Sequence, residues 1–329
     1  MAQPTIKDVA KLAGVSISTV SRVMNKSKPV SPEVEKRVLE AINKLGFRPN
    51  ELARSLVMKK SNSIGILVKD IGIEYMAQII RGAEEIGRMY DYDILLSSTY
   101  GELDLKKKAV DFFYRKQVEG VIIVDEDIES EIIIKIREYR MPYILLDPDN
   151  TSNEKATVTV NYRHAMRELV QTLVDMGNQH LVYIRSMENS HISNEKFFGY
   201  QEVIRKHQLS LDTLETRTST IEEGYEISKM IKKPDLVICE SDPLAIGVMN
   251  YCTDHFIHIP EDTQVTGFGG TSISSIYRPR LTTVVVPYYD IGAVAMRFLI
   301  KTLMEEETLE ETIFLPTQLV FRESTKNTD

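Results

Sequence analysis

The first 46 residues place apolar side chains at the spacing of three short helices. Thr5 can cap the first helix, Asp8 can complete the reciprocal cap, and Gly14 permits the sharp turn that follows. Ser16 can cap a second helix, and Ser31 begins a third. The positions expected to face inward are Val9, Leu12, Ala13, Val20, Val23 or Met24, Val34, Val38, Ala41, Ile42 and Leu45. The pattern predicts a helix-turn-helix head.

The second of these helices has the layout of a helix that reads DNA. Its apolar back leaves a front that carries Ile17, Ser18, Ser21 and Arg22. Small polar groups and one arginine suit the major groove, because a guanidinium pairs with the edge of guanine. The alternative interpretation is an ordinary helical hairpin with Arg22 in solvent, and Ile17 could instead belong to the core.

A hinge of residues 47–62 follows the head. Pro49 biases Arg48 away from helix, and Asn50 can cap a new helix over about 50–58. A helix of two turns is marginal alone, and an apolar wedge flanked by cations suits insertion into an opened minor groove. The wedge and its cations are Leu52, Ala53, Leu56, Arg54, Lys59 and Lys60. A plain interdomain linker is the alternative.

From Ser63 onward, short apolar runs alternate with helical stretches. Near-continuous apolar strands indicate parallel sheets covered on both faces. The first series of runs is 63–70, 92–99, 120–125 and 143–147; the second is 157–162, 181–186, 235–240 and 263–270, followed by 282–290, a helix of about 290–304 and late strands in 312–323. The predicted fold class is α/β, with two doubly wound parallel-sheet subdomains whose strand ends meet across a cleft.

The charge of the chain is divided between its two ends. Residues 1–60 hold twelve Lys or Arg and five Asp or Glu, a net charge of +7, whereas the whole chain of 329 residues carries −8. The remaining residues therefore carry −15. Because an acidic body is repelled by phosphate, a basic head is expected to approach DNA end-on.

Composition excludes several other classes of protein. The sequence shows no apolar run of membrane-spanning length and no signal peptide, so we expect a cytoplasmic protein with no membrane partner. Cys239 and Cys252 suit a reducing compartment and packed thiols. The six His form no ligand motif, and no catalytic triad or P-loop is present. We therefore expect no metal, no cofactor and no enzyme activity, and a transport-type binding protein is disfavoured by the basic head.

The segments TIKDVAKLAGVSISTVSRVMN and LGFRPNELARSL together resemble the head and hinge of the lactose-repressor (LacI/GalR) family of transcription regulators. The resemblance covers the whole chain and implies a homodimer that binds a palindromic operator. It implies DNA contacts by Thr5, Ser16, Ile17, Ser18, Arg22, Asn50, Ala53, Arg54 and Leu56. It also implies a periplasmic-binding-protein-like core over 61–329, with one subdomain of about 61–161 and 289–322 and another of about 162–288 and 323–329, after a DNA-binding domain of 1–60.

The resemblance places an effector cleft between the subdomains. Sugar-binding members of the family use an Arg and an Asp where this chain has Lys196 and Gly269. Lysine is a point charge and glycine has no side chain, so we do not expect the usual recognition of a sugar. Asp242 remains, although a helix N-cap explains it equally well. A sugar or sugar phosphate in this cleft stays as the alternative effector.

One branch of the family, which regulates carbon catabolism, takes the serine-phosphorylated phosphocarrier HPr as its co-repressor. The stretch VVPYYDIGAVAMRFLIKTLM resembles that branch and implies a co-repressor surface. Its residues would be Glu85, Tyr289, Asp290, Met296, Arg297, Lys301 and Arg322. Arg297 and Lys301 are one helical turn apart and could share a phosphate. In the alternative, Asp290 only caps its helix and Lys301 pairs with Glu305.

Overall fold

The structure is a computed structural model that describes residues 4–25, 28–47, 61–147, 156–187, 190–232, 234–306 and 312–326. The chain forms two compact units, Met1–Ser61 and Asn62–Asp329. The predicted hinge helix at about 50–58, with Asn50, Ala53, Arg54 and Leu56, lies outside the described residues.

The first unit contains the three predicted helices, α1 (Ile6–Ala13), α2 (Ile17–Asn25) and α3 (Pro32–Leu45). Val9, Val20 and Val38 are fully buried where the three helices meet. Leu12 is a correction, because its side chain is 45% exposed and not part of the core. The apolar stripe of an eight-residue helix is narrow, and Val9 with Ala13 already fills it.

The second unit contains two sheets, and the first is wholly parallel in its described strands. Its spatial order is β11-β5-β4-β3-β1-β2. The strands are β1 (Ser63–Val68), β2 (Asp93–Ser98), β3 (Gly120–Val124), β4 (Tyr143–Leu146), β5 (Thr157–Val160) and β11 (Thr312–Leu315). The helices connected to it are α4 (Glu74–Met89), α5 (Leu103–Lys116), α6 (Ser130–Glu138) and α12 (Tyr288–Leu303).

The second sheet repeats this plan with the order β12-β10-β9-β8-β6-β7, in which only β12 is antiparallel to its neighbour. Its strands are β6 (Leu181–Ser186), β7 (Asp212–Thr216), β8 (Leu236–Cys239), β9 (Gln264–Gly269), β10 (Thr282–Val285) and β12 (Gln318–Val320). Its helices are α7 (Tyr162–Asp175), α8 (His191–Lys206), α9 (Ile221–Ser228), α10 (Asp242–Asp254) and α11 (Ser272–Ile276). The sequence pattern missed β7, because this edge strand is polar and half-exposed.

The chain passes between the two sheets three times, after β5, after β10 and after β11. Two predictions from the sequence are wrong. The pattern predicts the run 157–162 as the first of the second series, yet β5 pairs in the first sheet. The resemblance implies that the stretch to residue 322 belongs to the first subdomain, yet β12 pairs with β10 in the second sheet. Only two residues separate β11 from β12, too few for composition to mark a boundary.

A single apolar cluster contains buried side chains from both sheets, among them Ile64, Leu181 and Val284. Smaller clusters cover the outer faces, with Phe113 over the first sheet and Leu244 over the second. The carboxyl ends of the parallel strands therefore converge on the space between the sheets, where ligands bind in open α/β folds.

Helix α12 is fixed to the first sheet by close packing against α4. A Cβ atom added to Gly82 would lie 2.0 Å from the carbonyl oxygen of Tyr289, and one added to Gly292 would lie 1.9 Å from that of Ile79. The two backbones thus touch at positions where only glycine fits. This contact sets the position of every side chain that α12 exposes.

We expect Gly82→Ala to destabilise the core by about 1–3 kcal/mol, because overpacking outweighs the gain in helix propensity. Gly87→Ala, in the same helix, is the matched control: its added Cβ would stay at least 3.4 Å from its neighbours. Urea unfolding followed by circular dichroism, at one protein concentration, measures both. Equal stability of the two variants would contradict the close contact.

Candidate functional sites

The front of α2 is exposed as a recognition helix requires. Ile17, Ser18 and Arg22 are exposed, and with the half-buried Ser21 they occupy a sector of about 140° around the helix. Ile17 is 45% exposed, so it does not belong to the core. An exposed isoleucine on this face can offer an apolar contact to a thymine methyl group.

Local hydrogen bonds hold the beginnings of the first two helices. The Asp8 carboxylate accepts from the Thr5 N–H at 2.8 Å and from the Thr5 hydroxyl at 2.7 Å, and these bonds lower the pKa of Asp8. The Ser16 hydroxyl accepts from the Thr19 N–H at 3.1 Å. Ser16 therefore caps α2 as the sequence predicts, and the predicted cap at Thr5 is made chiefly through Asp8.

A cavity of about 380 Å³ lies between the carboxyl ends of the two sheets. Tyr75 and Tyr288 stack within its wall, with ring centroids 4.9 Å apart. The opposite wall is rich in hydroxyl groups from the second subdomain, namely Ser186, Ser190, Ser193, Thr218, Ser219, Thr220 and Ser241. This arrangement suits a small polar molecule with an apolar face.

Lys196 lies in this cavity but is already engaged by its own protein. Its ammonium group donates to the Glu240 carbonyl at 3.1 Å and lies 4.5 Å from the centre of the Phe268 ring and 5.6 Å from that of Tyr162. Burial lowers the pKa of Lys196, and nearby carboxylates, Glu240 foremost, oppose that shift. The cation is thus held between two aromatic faces.

Asp242 is a structural residue behind the cavity wall. Ser241 is the N-cap of α10, so the predicted N-cap role of Asp242 is wrong. Its fully buried carboxylate accepts from the N–H and hydroxyl of Thr271 at 2.7 and 2.8 Å, and from the Thr283 hydroxyl at 2.6 Å. Burial raises the pKa of Asp242, and these hydrogen bonds oppose the shift.

Gly269 lines the cavity at a backbone φ of 131°, in the region that favours glycine. An aspartate at this position would be strained, and its Cβ would lie 3.6 Å from an Asp242 carboxylate oxygen. The backbone of this loop therefore disfavours the aspartate that sugar-binding members of the family would place at position 269.

Glu240 is a cavity residue that the sequence reading missed. Its buried carboxylate accepts from the Ser186 N–H at 2.5 Å, the Ser193 hydroxyl at 2.6 Å and the Ser219 hydroxyl at 3.2 Å. The available signal was an acidic residue directly after the buried strand β8, at the sheet edge where ligands bind. Glu240 therefore fixes three residues of the hydroxyl wall, Ser186, Ser193 and Ser219, by accepting hydrogen bonds from them.

The outer face of α12 brings together part of the predicted co-repressor surface. The Tyr289 hydroxyl donates to Glu85 at 2.6 Å, and Arg81 pairs with the same carboxylate at 3.0 Å. These two contacts lower the pKa of Glu85. Asp290 and Arg297 are exposed on the helix, and Lys301 is half-buried one turn after Arg297.

Two predicted members of this surface lie elsewhere. Met296 is fully buried in the core, because the helix turns it away from the face that exposes Arg297. Arg322 follows β12 in the second subdomain, where its guanidinium donates to the Ser274 hydroxyl at 3.0 Å and the Leu281 carbonyl at 2.7 Å. Met296 is therefore an apolar core residue, and Arg322 is held by hydrogen bonds in the second subdomain.

Comparisons with known proteins agree with this arrangement. Residues 5–50 match the family described as "Bacterial regulatory proteins, lacI family", and residues 170–325 match a "Periplasmic binding protein-like domain". Catabolite control protein A of Priestia megaterium is 36% identical over 98% of this chain and 99% of its own length. The chain belongs to the LacI family. It is a DNA-binding transcription regulator, as its LacI-family relatives are.

A second relative agrees with this assignment in sequence, and a solved structure agrees with it in fold. The HTH-type transcriptional regulator RegA of Clostridium saccharobutylicum is 34% identical over 98% of this chain and 99% of its own length. A lac repressor dimer bound to operator and an anti-inducer has the same fold, with a TM-score of 0.90 and 23% identity over 98% of this chain and 99% of that one. In the described ranges, the LacI-family fold of this chain contains no acidic, His or Cys cluster able to hold a metal, and no helix long and apolar enough to cross a bilayer.

We expect Asp242→Ala to destabilise the core by about 3 kcal/mol, because it leaves buried donors on Thr271 and Thr283 without an acceptor. Asp242→Asn, which keeps one carbonyl oxygen, should cost about 1 kcal/mol. Urea unfolding at one protein concentration measures both changes. If Asp242→Ala left stability intact but abolished binding of a small molecule, Asp242 would be a ligand contact and not a structural one.

Proposed function

We propose that this regulator binds a palindromic operator as a homodimer and that serine-phosphorylated HPr raises its affinity for that operator. The exposed front of α2 carries the proposal, because it presents Arg22 beside Ile17 and Ser18 on a rigid, capped helix. The similarity to catabolite control protein A supports carbon catabolism as the regulated process.

A single head presents one recognition helix and can read one half-site. Two heads related by a twofold axis would read two half-sites, so a palindromic operator follows from a homodimer. Arg22 is proposed to pair with guanine in each half, with Thr5 and Ser16 at phosphates. The hinge residues Asn50, Ala53, Arg54 and Leu56 are proposed to contact the central minor groove.

Arg22→Ala should weaken binding to the operator by about 1–3 kcal/mol and leave binding to random DNA nearly unchanged. The operator for this measurement is selected from a random duplex library with the wild-type protein, and affinities are compared at one salt concentration. Arg37→Ala, another exposed arginine of the same head, is the control and should keep the discrimination. Equal losses on operator and random DNA would make Arg22 a phosphate contact.

The co-repressor surface is proposed to use both ends of α12. Arg297 and Lys301 lie in its last two turns, where two cations one turn apart can share a phosphoserine group. The Glu85 pairings with Tyr289 and Arg81 fix the tyrosine ring at the other end, beside Asp290. The partner would therefore meet a basic patch and an acidic patch on one helix, which suits a phosphorylated protein better than a free phosphate.

Arg297→Ala should leave basal DNA binding intact and abolish the rise in operator affinity that phosphorylated HPr produces. The coupling requires that the partner favour one core conformation over another. Arg205→Ala, an exposed arginine of the second subdomain, is the matched control and should retain the full response. If phosphorylated HPr did not raise the operator affinity of the wild-type protein, the co-repressor hypothesis would be wrong. If it still raised the affinity of Arg297→Ala, the co-repressor would bind at a different surface.

A small polar effector is the second candidate, favoured by the hydroxyl wall of the 380 Å³ cavity. Its hydroxyl groups and the stacked pair of Tyr75 and Tyr288 could hold a sugar. Calorimetry with a panel of sugars and sugar phosphates distinguishes the two candidates. Only the small-effector hypothesis expects binding heat without a protein partner.

A further inference from the structure

The carboxylate of Glu126 spans the cleft between the two subdomains. Glu126 follows β3 in the first sheet, and its Oε2 accepts from the Ile192 N–H, in the first turn of α8, at 3.4 Å. The side chain also bonds to Ser190, the N-cap of α8, and lines the 380 Å³ cavity. A group on one subdomain is therefore enclosed by the other when the cleft is closed.

A second glutamate spans the cleft in a different environment. Glu74, at the start of α4, accepts from the Ser272 N–H of α11 at 2.8 Å, but its side chain is exposed to solvent. Glu126 is half-buried, so its carboxylate keeps less of its hydration than that of the exposed Glu74. The two bridges should therefore respond differently to pH.

Carboxylates outnumber cations around Glu126. The ionisable groups that share its cavity or lie beside it in sequence or in the adjoining helix are Lys69, Glu74, Asp125, Asp127, Asp147, His191, Lys196, Glu240 and Tyr288. Lys106 pairs with Asp125 at 2.8 Å and with Glu129 at 2.9 Å. The Lys196 ammonium lowers the pKa of Glu126 from a distance, but it is bonded to the Glu240 carbonyl and lies over the Phe268 ring, and the like charge of Asp127 acts against it.

We propose that Glu126 makes closure of the cleft a proton-linked step, so that the closed core takes up a proton and acidification favours closure. A carboxylate that loses water on closure, without gaining a dedicated cation, is more stable in its protonated form. The protonated group still accepts from Ile192 and can donate to Ser190. The bridge thus persists in its neutral form.

The direction of the effect follows from the enclosed state of the carboxyl group. Burial, with Asp127 second, raises the pKa of Glu126 from 4.5 to about 7 in the closed structure. In an open core, where water reaches the group, the effect of burial is removed and the pKa of Glu126 falls toward its ordinary value. The closed form then binds the proton more tightly, so the ratio of closed to open core rises about tenfold between pH 8 and pH 6.

Distance measurements between spin labels on the two subdomains test this linkage in the full chain. Ile71→Cys and Ile276→Cys place labels at exposed sites of the first and second subdomains, and the native Cys239 and Cys252 are buried. Labelled chain is mixed with excess unlabelled chain, so that distances within one chain dominate. We expect the ratio of short to long distances to rise about tenfold from pH 8 to pH 6.

Glu126→Gln keeps the shape and the acceptor but cannot be charged. It should show the same distances at both pH values, with the short distance favoured throughout, and Glu126→Ala should also lose the pH response. His191→Gln is the control for the neighbouring imidazole and should respond as the wild-type protein does. A wild-type ratio that does not change, or a response retained in Glu126→Gln, would overturn the proposal. The measurement uses neither DNA nor HPr, so it is independent of the proposed function.

Discussion

The apolar core that the two sheets share constrains the rest of the second unit. The chain crosses three times between the sheets, and both subdomains contribute side chains to one cluster. The carboxyl ends of the parallel strands of both sheets border the cleft between the subdomains. The polar residues that follow those strands are concentrated there, and the cavity, its hydroxyl wall and the bridges across it all result from this arrangement.

Within that cleft, several polar side chains are bonded to other groups of the same protein. Asp242 supports a loop, Glu240 organises three groups of the hydroxyl wall, and Lys196 occupies an aromatic cage. Buried polar groups are costly unless they are paired, so each has found a partner within the fold. The positions that resemble sugar contacts in the family are therefore explained by internal bonds, which is consistent with regulation through a protein surface.

The helix α12 shows how much of a site periodicity alone can define. The sequence placed Arg297 and Lys301 on one face correctly, since four residues make about one turn. Family position suggested Met296 as well, but the residue before Arg297 is turned by about 100° and enters the core. Family position also suggested Arg322, but β12 pairs in the other sheet, so the Arg322 guanidinium bonds there. A local sequence pattern cannot predict that two strands distant in sequence pair with each other.

The sequence by itself determined the three-helix head, the α/β rhythm of the core and the separation of charge, because each depends on local spacing or composition. The tertiary structure decided which residues meet. It made β7 an edge strand, turned Leu12 outward, buried Asp242 beneath Thr271 and enclosed Glu126 against the start of α8. These outcomes depend on packing between distant segments. The hydration of a carboxylate depends on the groups that cover it in the folded protein. Because those groups come from distant segments, the residues next to it in sequence do not predict its hydration.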